Sequence, residues 1–348
     1  MVSGEEADAL ITMMLPMKRG MRTLIAVAVL GLSLASAGCT GDGEARAFTA
    51  AFGGDPIVES MELTSHDNQP FTGGVSGDVF VNPTATDDEF LDLTARVGDY
   101  TREHAERMRG QVSLDIGGLE MAVTGDQSAD DESARLLVAL RSNPSILSGS
   151  VDSASASVES GSAEEAIELA RELPALMTDV ASGDRWHLGV RDTAGSVSIA
   201  GDAAQFTDAM GVWDAIGAEV PLAGIRARRD ERMIVALRHE SDLGRARAVP
   251  LDGGAEPAFE SDLVQLGESD GADARQFLEN LAPDERARIA YVWISDVRVQ
   301  IAVHDEADLV PLVETVDAAL PPRIAEARLV WAEDVHTRVE VREPDPAG

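Results

Sequence analysis

Cysteine and lysine are almost missing from this chain of 348 residues, which has one of each, Cys39 and Lys18. A single cysteine excludes an internal disulfide framework and any cysteine-rich zinc site. With no lysine beyond Lys18 and no G-x-G-x-x-G, the chain offers neither a phosphate loop nor a dinucleotide fingerprint. Basic charge is scarce too: 28 Lys and Arg stand against 62 Asp and Glu, a formal net charge of −34. Nucleic acid and anionic lipid surfaces attract cationic proteins, so no nucleic-acid partner is expected. Aromatic residues amount to 4%. What remains is ordinary globular material, 44% hydrophobic and 26% charged, which rules out wholesale disorder. At roughly 100–200 residues per domain, the length suggests two or three compact units.

The most specific pattern lies near the N-terminus. Met17-Lys18-Arg19-Gly20-Met21-Arg22 is basic, and Leu24 to Leu34 is mostly apolar. Ala35-Ser36-Ala37-Gly38 then supplies small residues before Cys39. Basic stretch, short apolar run and small-residue site are the three parts of a secretory signal. At about 1.5 Å per residue the run covers only about half of a ~30 Å hydrocarbon core, too little for a permanent span. Glu5, Glu6 and Asp8 do not suit a basic leader, so Met17 is expected to be the true start.

With the lone cysteine at its end, this segment resembles a bacterial lipoprotein signal peptide, and Ala37-Gly38-Cys39 matches the lipobox. The resemblance covers residues 17 to 39. It implies a diacylglyceryl group on the Cys39 thiol, cleavage between Gly38 and Cys39, and acyl chains such as palmitate in the outward-facing leaflet of the cell membrane. Ser36 departs from the family's usual aliphatic residue at that position. Ordinary cleavage at Ala35-Ser36-Ala37, giving a soluble secreted protein, is the alternative.

Beyond residues 1–38, the chain reads as a tether and loop over 39–74, then α+β units at 75–152, 153–229 and 230–344. Thr40 to Asp55 is small and polar apart from Ala-Phe pairs and reads as the tether. Pro56 to Leu63 reads as a strand, and 68–77 as a loop. Val79 and Val81 make a short strand, after which Thr86 and Glu89 form a capping box opening a helix from Asp87. Val112, Leu114 and Ile116 alternate, Gly117-Gly118 turns, and Leu119, Met121 and Val123 return. A helix near Glu132–Arg141 and a strand near Ile146–Val151 complete a β-α-β-β-α-β order. The order repeats from Ala154 to Ala227, with Ser162 and Glu165 as a second capping box and Pro174 inside the helix. A third, less regular region runs from Met233 to Val341.

Two echoes point to duplication. Gly125-Asp126, Gly201-Asp202 and His304-Asp305 each leave a strand before a helix, and the segment from Pro174 to Thr178 resembles that from Pro311 to Thr315. The fold class expected from this pattern is α+β: tandem ferredoxin-like (split β-α-β) units, each an antiparallel sheet with helices on one face.

Chemistry is harder to find. The histidines are His66, His104, His187, His239, His304 and His336, none three or four residues from another, so no helical metal pair exists. His239, His304 and His336 fall near strand ends with Glu240, Asp305 and Asp334 beside or near them; a carboxylate can orient an imidazole, although half-exposed turn histidines are commoner. No G-x-S-x-G elbow occurs. The acidic stretches Asp126–Glu132 and Asp262–Asp273 could attract Ca²⁺, but lack EF-hand spacing, and acids at helix starts are ordinary. Trp186, Trp293 and Trp331 fall on strands and Trp213 on a helix; a carbohydrate platform would use such residues, while sheet-core packing is their usual fate.

Catalytic and metal residues are therefore not assigned, and no cofactor is implied. The sequence supports a non-enzymatic, lipid-anchored envelope protein presenting a protein- or wall-binding surface, its partners the membrane through the N-terminal lipid and an envelope protein. The alternatives are a ligand- or cation-binding lipoprotein and, behind it, a hydrolase with acids and histidines assembled from afar.

Overall fold

A computed structural model describes residues 40–66, 74–108, 110–180, 186–252, 256–267 and 269–343. The signal segment, Gly38 and Cys39 lie outside the described residues. Within them, no helix is long and apolar enough to cross a membrane. The chain is α+β, with mixed sheets of eleven and five strands in which sheet neighbours follow chain order. Its described residues divide into two compact units. One holds those up to Ile116 together with Ala122–Asp130; the other holds Gly117–Met121 and those from Asp131 onward.

The first unit begins with a helix where a tether is expected. α1 (Thr40–Phe52) is followed by β1 (Val58–His66), β2 (Gly74–Val81), α2 (Asp87–Glu103) and β3 (Val112–Ile116). Gly41 and Gly43 weaken the local helix signal, but Phe48 and Phe52 sit one turn apart and are both buried. Phe48 meets Tyr100 edge-on, ring centroids 5.3 Å apart. Packing against β1, β2 and Tyr100 of α2 thus overrides composition, and the stretch from Thr40 is a docked helix rather than a loose tether. The loop expected over 68–77 also shortens, since β2 already starts at Gly74. The Thr86–Glu89 capping box forms as its spacing predicts, with the Glu89 N–H donating to Thr86 Oγ1 and the Thr86 N–H to Glu89 Oε2.

Next come β4 (Leu119–Val123) and α3 (Gln127–Arg141), both divided by the boundary between the units. Gly117 and Gly118 take φ of 67° and 88°, the left-handed pair that a two-residue hairpin turn requires. In the second unit follow β5 (Ile146–Val151), β6 (Ser155–Ser160), α4 (Ala163–Val180), β7 (His187–Asp192), β8 (Val197–Gly201), α5 (Ala203–Gly217) and β9 (Leu222–Arg228). Then come β10 (Ile234–Leu237), α6 (Leu243–Arg247) and β11 (Ala258–Glu260). The five-stranded sheet holds β12 (Val264–Leu266), β13 (Ile289–Ser295), β14 (Arg298–Val303), β15 (Glu326–Trp331) and β16 (Asp334–Arg342). Its helices are α7 (Ala272–Asn280), α8 (Pro283–Arg286) and α9 (Val313–Ala319).

The β-α-β-β-α-β order is therefore present, but its hydrogen bonding is not that of a ferredoxin-like unit. A split β-α-β leaves room for another strand between its parallel pair. Here β2 bonds β3 directly and in parallel, Val79 opposite Leu114, and β6 bonds β7 likewise, Val158 opposite Val190. Antiparallel pairs such as β5–β6 and β7–β8 join one parallel pair to the next. The sheets are mixed, not antiparallel. Apolar periodicity reports the type of each element and its buried face, whereas strand neighbours depend on where each crossover lands; these helices are long enough to return a chain to the adjacent strand.

Within the second unit, α4 and α5 touch each other and lie on one face of β6 to β9. Arg171 of α4 pairs with Asp214 of α5 at 2.5 Å. The burial of β8 alternates accordingly, Val197 and Ile199 buried, Ser198 and Ala200 half-buried. The same division holds in the five-stranded sheet. Val292, Ile294, Val299, Ile301, Leu329 and the helix residues Phe277, Leu278 and Val316 form one core, leaving Trp293, Gln300 and Arg328 on the other face.

The Gly-Asp and His-Asp echoes have a common structural cause: each aspartate caps the helical turn after its strand. Asp126 accepts from the Ser128 and Ala129 N–H groups, Asp202 from Gln205 and Asp305 from Ala307. The other echo has none, because Pro174 lies inside α4 while Pro311 precedes α9.

Candidate binding site on the five-stranded sheet

β13 to β16 place four polar or aromatic side chains in one line across the sheet. Trp293 is the register partner of Gln300, Gln300 of Arg328, and Arg328 of Glu340. On the other side, Gln265 of β12 is the partner of Trp293. Alternation puts every second residue of a strand on one face, so a register fixed by the buried Val292, Ile301 and Leu329 fixes this row on the opposite one. At about 4.8 Å between strands, the row spans about 19 Å.

A cavity of about 580 Å³ opens on this row, lined by Trp293, Gln300, Arg328 and Glu340 and, at its end, by Arg298 and Glu326. Trp293 is half-buried. Gly267 gives its ring room: a Cβ there would stand 3.2 Å from Trp293 Cζ2 and 2.7 Å from Ser295 Cβ. Arg328 is held flat, Nε and Nη2 both donating to Gln300 Oε1 at 3.1 and 2.7 Å. Arg298 pairs with Glu326 at 2.9 Å. Arg342, also on the rim, is anchored to Asp317 and to the carbonyls of Pro321 and Ile324. The site therefore combines an aromatic face, a planar donor held in fixed orientation and carboxylate acceptors, a set suited to binding a polar ligand.

The residues singled out from sequence are mostly elsewhere. Gly38 and Cys39 fall outside the described residues, as do the surroundings of the His66 side chain. His104 stacks on Tyr100, centroids 4.0 Å apart. His187, His304 and His336 are exposed, and His239 lies 3.5 Å from Asp262. Asp334, which accepts from the His336 N–H, is occupied by its own turn; hydrogen bonds from Thr337 and that N–H lower its pKa.

The acidic stretches are occupied in the same way. Asp130 is buried and accepts from the Thr124 and Gly125 N–H groups at 2.8 and 2.9 Å. Asp270 accepts from the Ala272 N–H, and Asp273 pairs with Arg323. Glu240, beside His239, pairs with the buried Arg275 at 2.8 Å and accepts from Ser261. Among the described residues, no three His, Cys, Asp or Glu side chains gather to hold a metal ion.

The tryptophans divide. Trp186 is buried, Trp331 packs against the core, Trp213 is half-buried on α5, and Trp293 lines the cavity. Gln300, Arg328, Arg298 and Glu326 have no place among the candidates from sequence. Their signal is the two-residue spacing of Arg298 with Gln300 and of Glu326 with Arg328 between apolar neighbours, which marks a face left for solvent. Comparison with protein-family models, with curated proteins and with solved structures finds no match to this chain.

Proposed function

We propose that the chain is an exported envelope lipoprotein, anchored through Cys39, with a non-enzymatic role: presenting the Trp293 cavity and the sheet face around it to a partner in the envelope. The observation that carries this reading is the cavity itself, a site where Gln300 holds Arg328, Glu326 pairs with Arg298 and the aromatic ring is left partly uncovered. Its lining supports binding, because Arg328 with Gln300 and Arg298 with Glu326 pair as donor and acceptor and no imidazole, thiol or hydroxyl side chain lines it. The signal-like segment supplies the export and the anchor.

A second reading, a lipoprotein that carries a small ligand, is favoured by the cavity volume, which lies in the range of small-molecule sites. Cation carriage has less support, since Asp126, Asp130, Asp270 and Asp273 of the acidic stretches already accept backbone hydrogen bonds or pair with Arg323.

Mass spectrometry of the N-terminal peptide, from protein crosslinked in cells and isolated with its anchor, tests the proposal. The expected result is an N-terminal Cys39 bearing lipid, with crosslinks that leave from β13 to β16. A chain cut after Ala37 and released to the medium without lipid would overturn the anchored reading.

A further inference from the structure

We propose that the Trp293 cavity is a glycan site, taking a neutral, β-linked pyranose chain laid across β13, β14 and β15. The assignment rests on the binding role proposed above and names its ligand class. Three features of the cavity lead there. The first is the ring: a half-buried indole, packed close against Gly267 where a Cβ would crowd it and so fixed in place, offers an apolar plate to the C–H face of a sugar. The second is the donor geometry. Both Nε and Nη2 of Arg328 are committed to Gln300 Oε1, so the guanidinium plane is locked and Nη1 is the end left to reach a hydroxyl or an N-acetyl oxygen. Arg298, paired with Glu326 through Nε, adds a second, more exposed donor at the end of the cavity.

The third feature is charge. On a chain of net charge −34, the lining balances: Arg298, Arg328 and Arg342 against Glu326, Glu340 and Glu343. The balanced lining offers a cation no net local attraction, since three guanidinium groups stand beside the three carboxylates, and a polyanion would be repelled by the molecule as a whole. A neutral ligand with many hydroxyls incurs neither penalty. The cavity is of small-molecule size, and its row runs one strand spacing at a time, close to the advance of one pyranose ring.

The test uses the full chain in detergent micelles, with the tetrasaccharide of β-1,4-linked N-acetylglucosamine and cellotetraose as probes. Tryptophan fluorescence and calorimetry are read for the wild type and for Trp293→Ala, Gly267→Ala and Trp213→Ala, after thermal melts have shown that each variant folds. The expected result is saturable binding of at least one probe. Trp293→Ala should weaken it about tenfold or more and Gly267→Ala should weaken it measurably, while Trp213→Ala leaves it unchanged. Failure of both probes to bind, or equal binding by Trp293→Ala, overturns the assignment. A protein crosslinked to β13–β16 in cells, with both oligosaccharides ignored, would sink the glycan and keep the anchored binding role. Oligosaccharide binding by a chain whose Cys39 bears no lipid would keep the glycan and sink the anchor.

Discussion

Tyr100 shows how one side chain can hold a segment that composition would leave loose. Its hydroxyl donates to Glu44 Oε1 at 2.9 Å, its ring meets Phe48 and Phe52, and His104 stacks on its other side. Burial first, and then the Glu44 carboxylate beside it, push the phenol up to about 12. Because the folded value is raised, the stabilisation is complete below the ordinary phenol value near 10 and is lost as pH rises through 12. The phenolate absorbance removed by Tyr100→Phe should therefore develop near pH 12; development near pH 10 would mean that α1 is not docked in solution. The same scale explains why the candidate site was hard to read from sequence. Trp186 and Trp293 both sit among alternating residues, yet one is buried and the other lines a cavity. The difference lies in whether a helix covers that face, which no residue of the strand itself records.

At the scale of elements, the caps are the most legible feature. Thr86–Glu89 and Ser162–Glu165 form where their three-residue spacing places them, and the Glu165 N–H donates to Ser162 Oγ. Asp202 with Gln205 makes a further box, foreshadowed by the Gly201-Asp202 strand exit. Asp202→Ala should cost about 1 kcal/mol in urea unfolding, while Asp202→Ser should recover most of it. An unchanged midpoint for the alanine variant would mean that α5 is held by packing alone. Element type and order were legible because each strand and helix buries one face with its own period. Strand pairing was not, because β2–β3 and β6–β7 are joined by hydrogen bonds of the backbone, and nothing in the side chains of Val79 or Val158 names the strand that lies alongside. α1 was missed for a third reason: its glycines speak against a helix, and only its packing on β1, β2 and Tyr100, all outside the segment itself, offsets them.

For the whole molecule, charge dominates. At −34, carboxylates far outnumber the arginines that could pair with them, and the excess repels itself. The melting temperature is therefore expected to rise with added sodium chloride between ~0.01 and ~1 M, over which the screening length falls from about 30 to about 3 Å. A steady fall would mean that pairs such as Arg96–Asp55 and Arg191–Glu159 outweigh the repulsion. The order of strands has its own consequence. Because within each sheet every strand bonds the one just before it in the chain, β-structure can grow by short closures, and no strand of a sheet need wait for a distant segment to arrive. Such a topology suits a polypeptide delivered end-first through a narrow opening: every β-α-β that emerges finds its neighbour already in place, so the growing sheet templates its own extension.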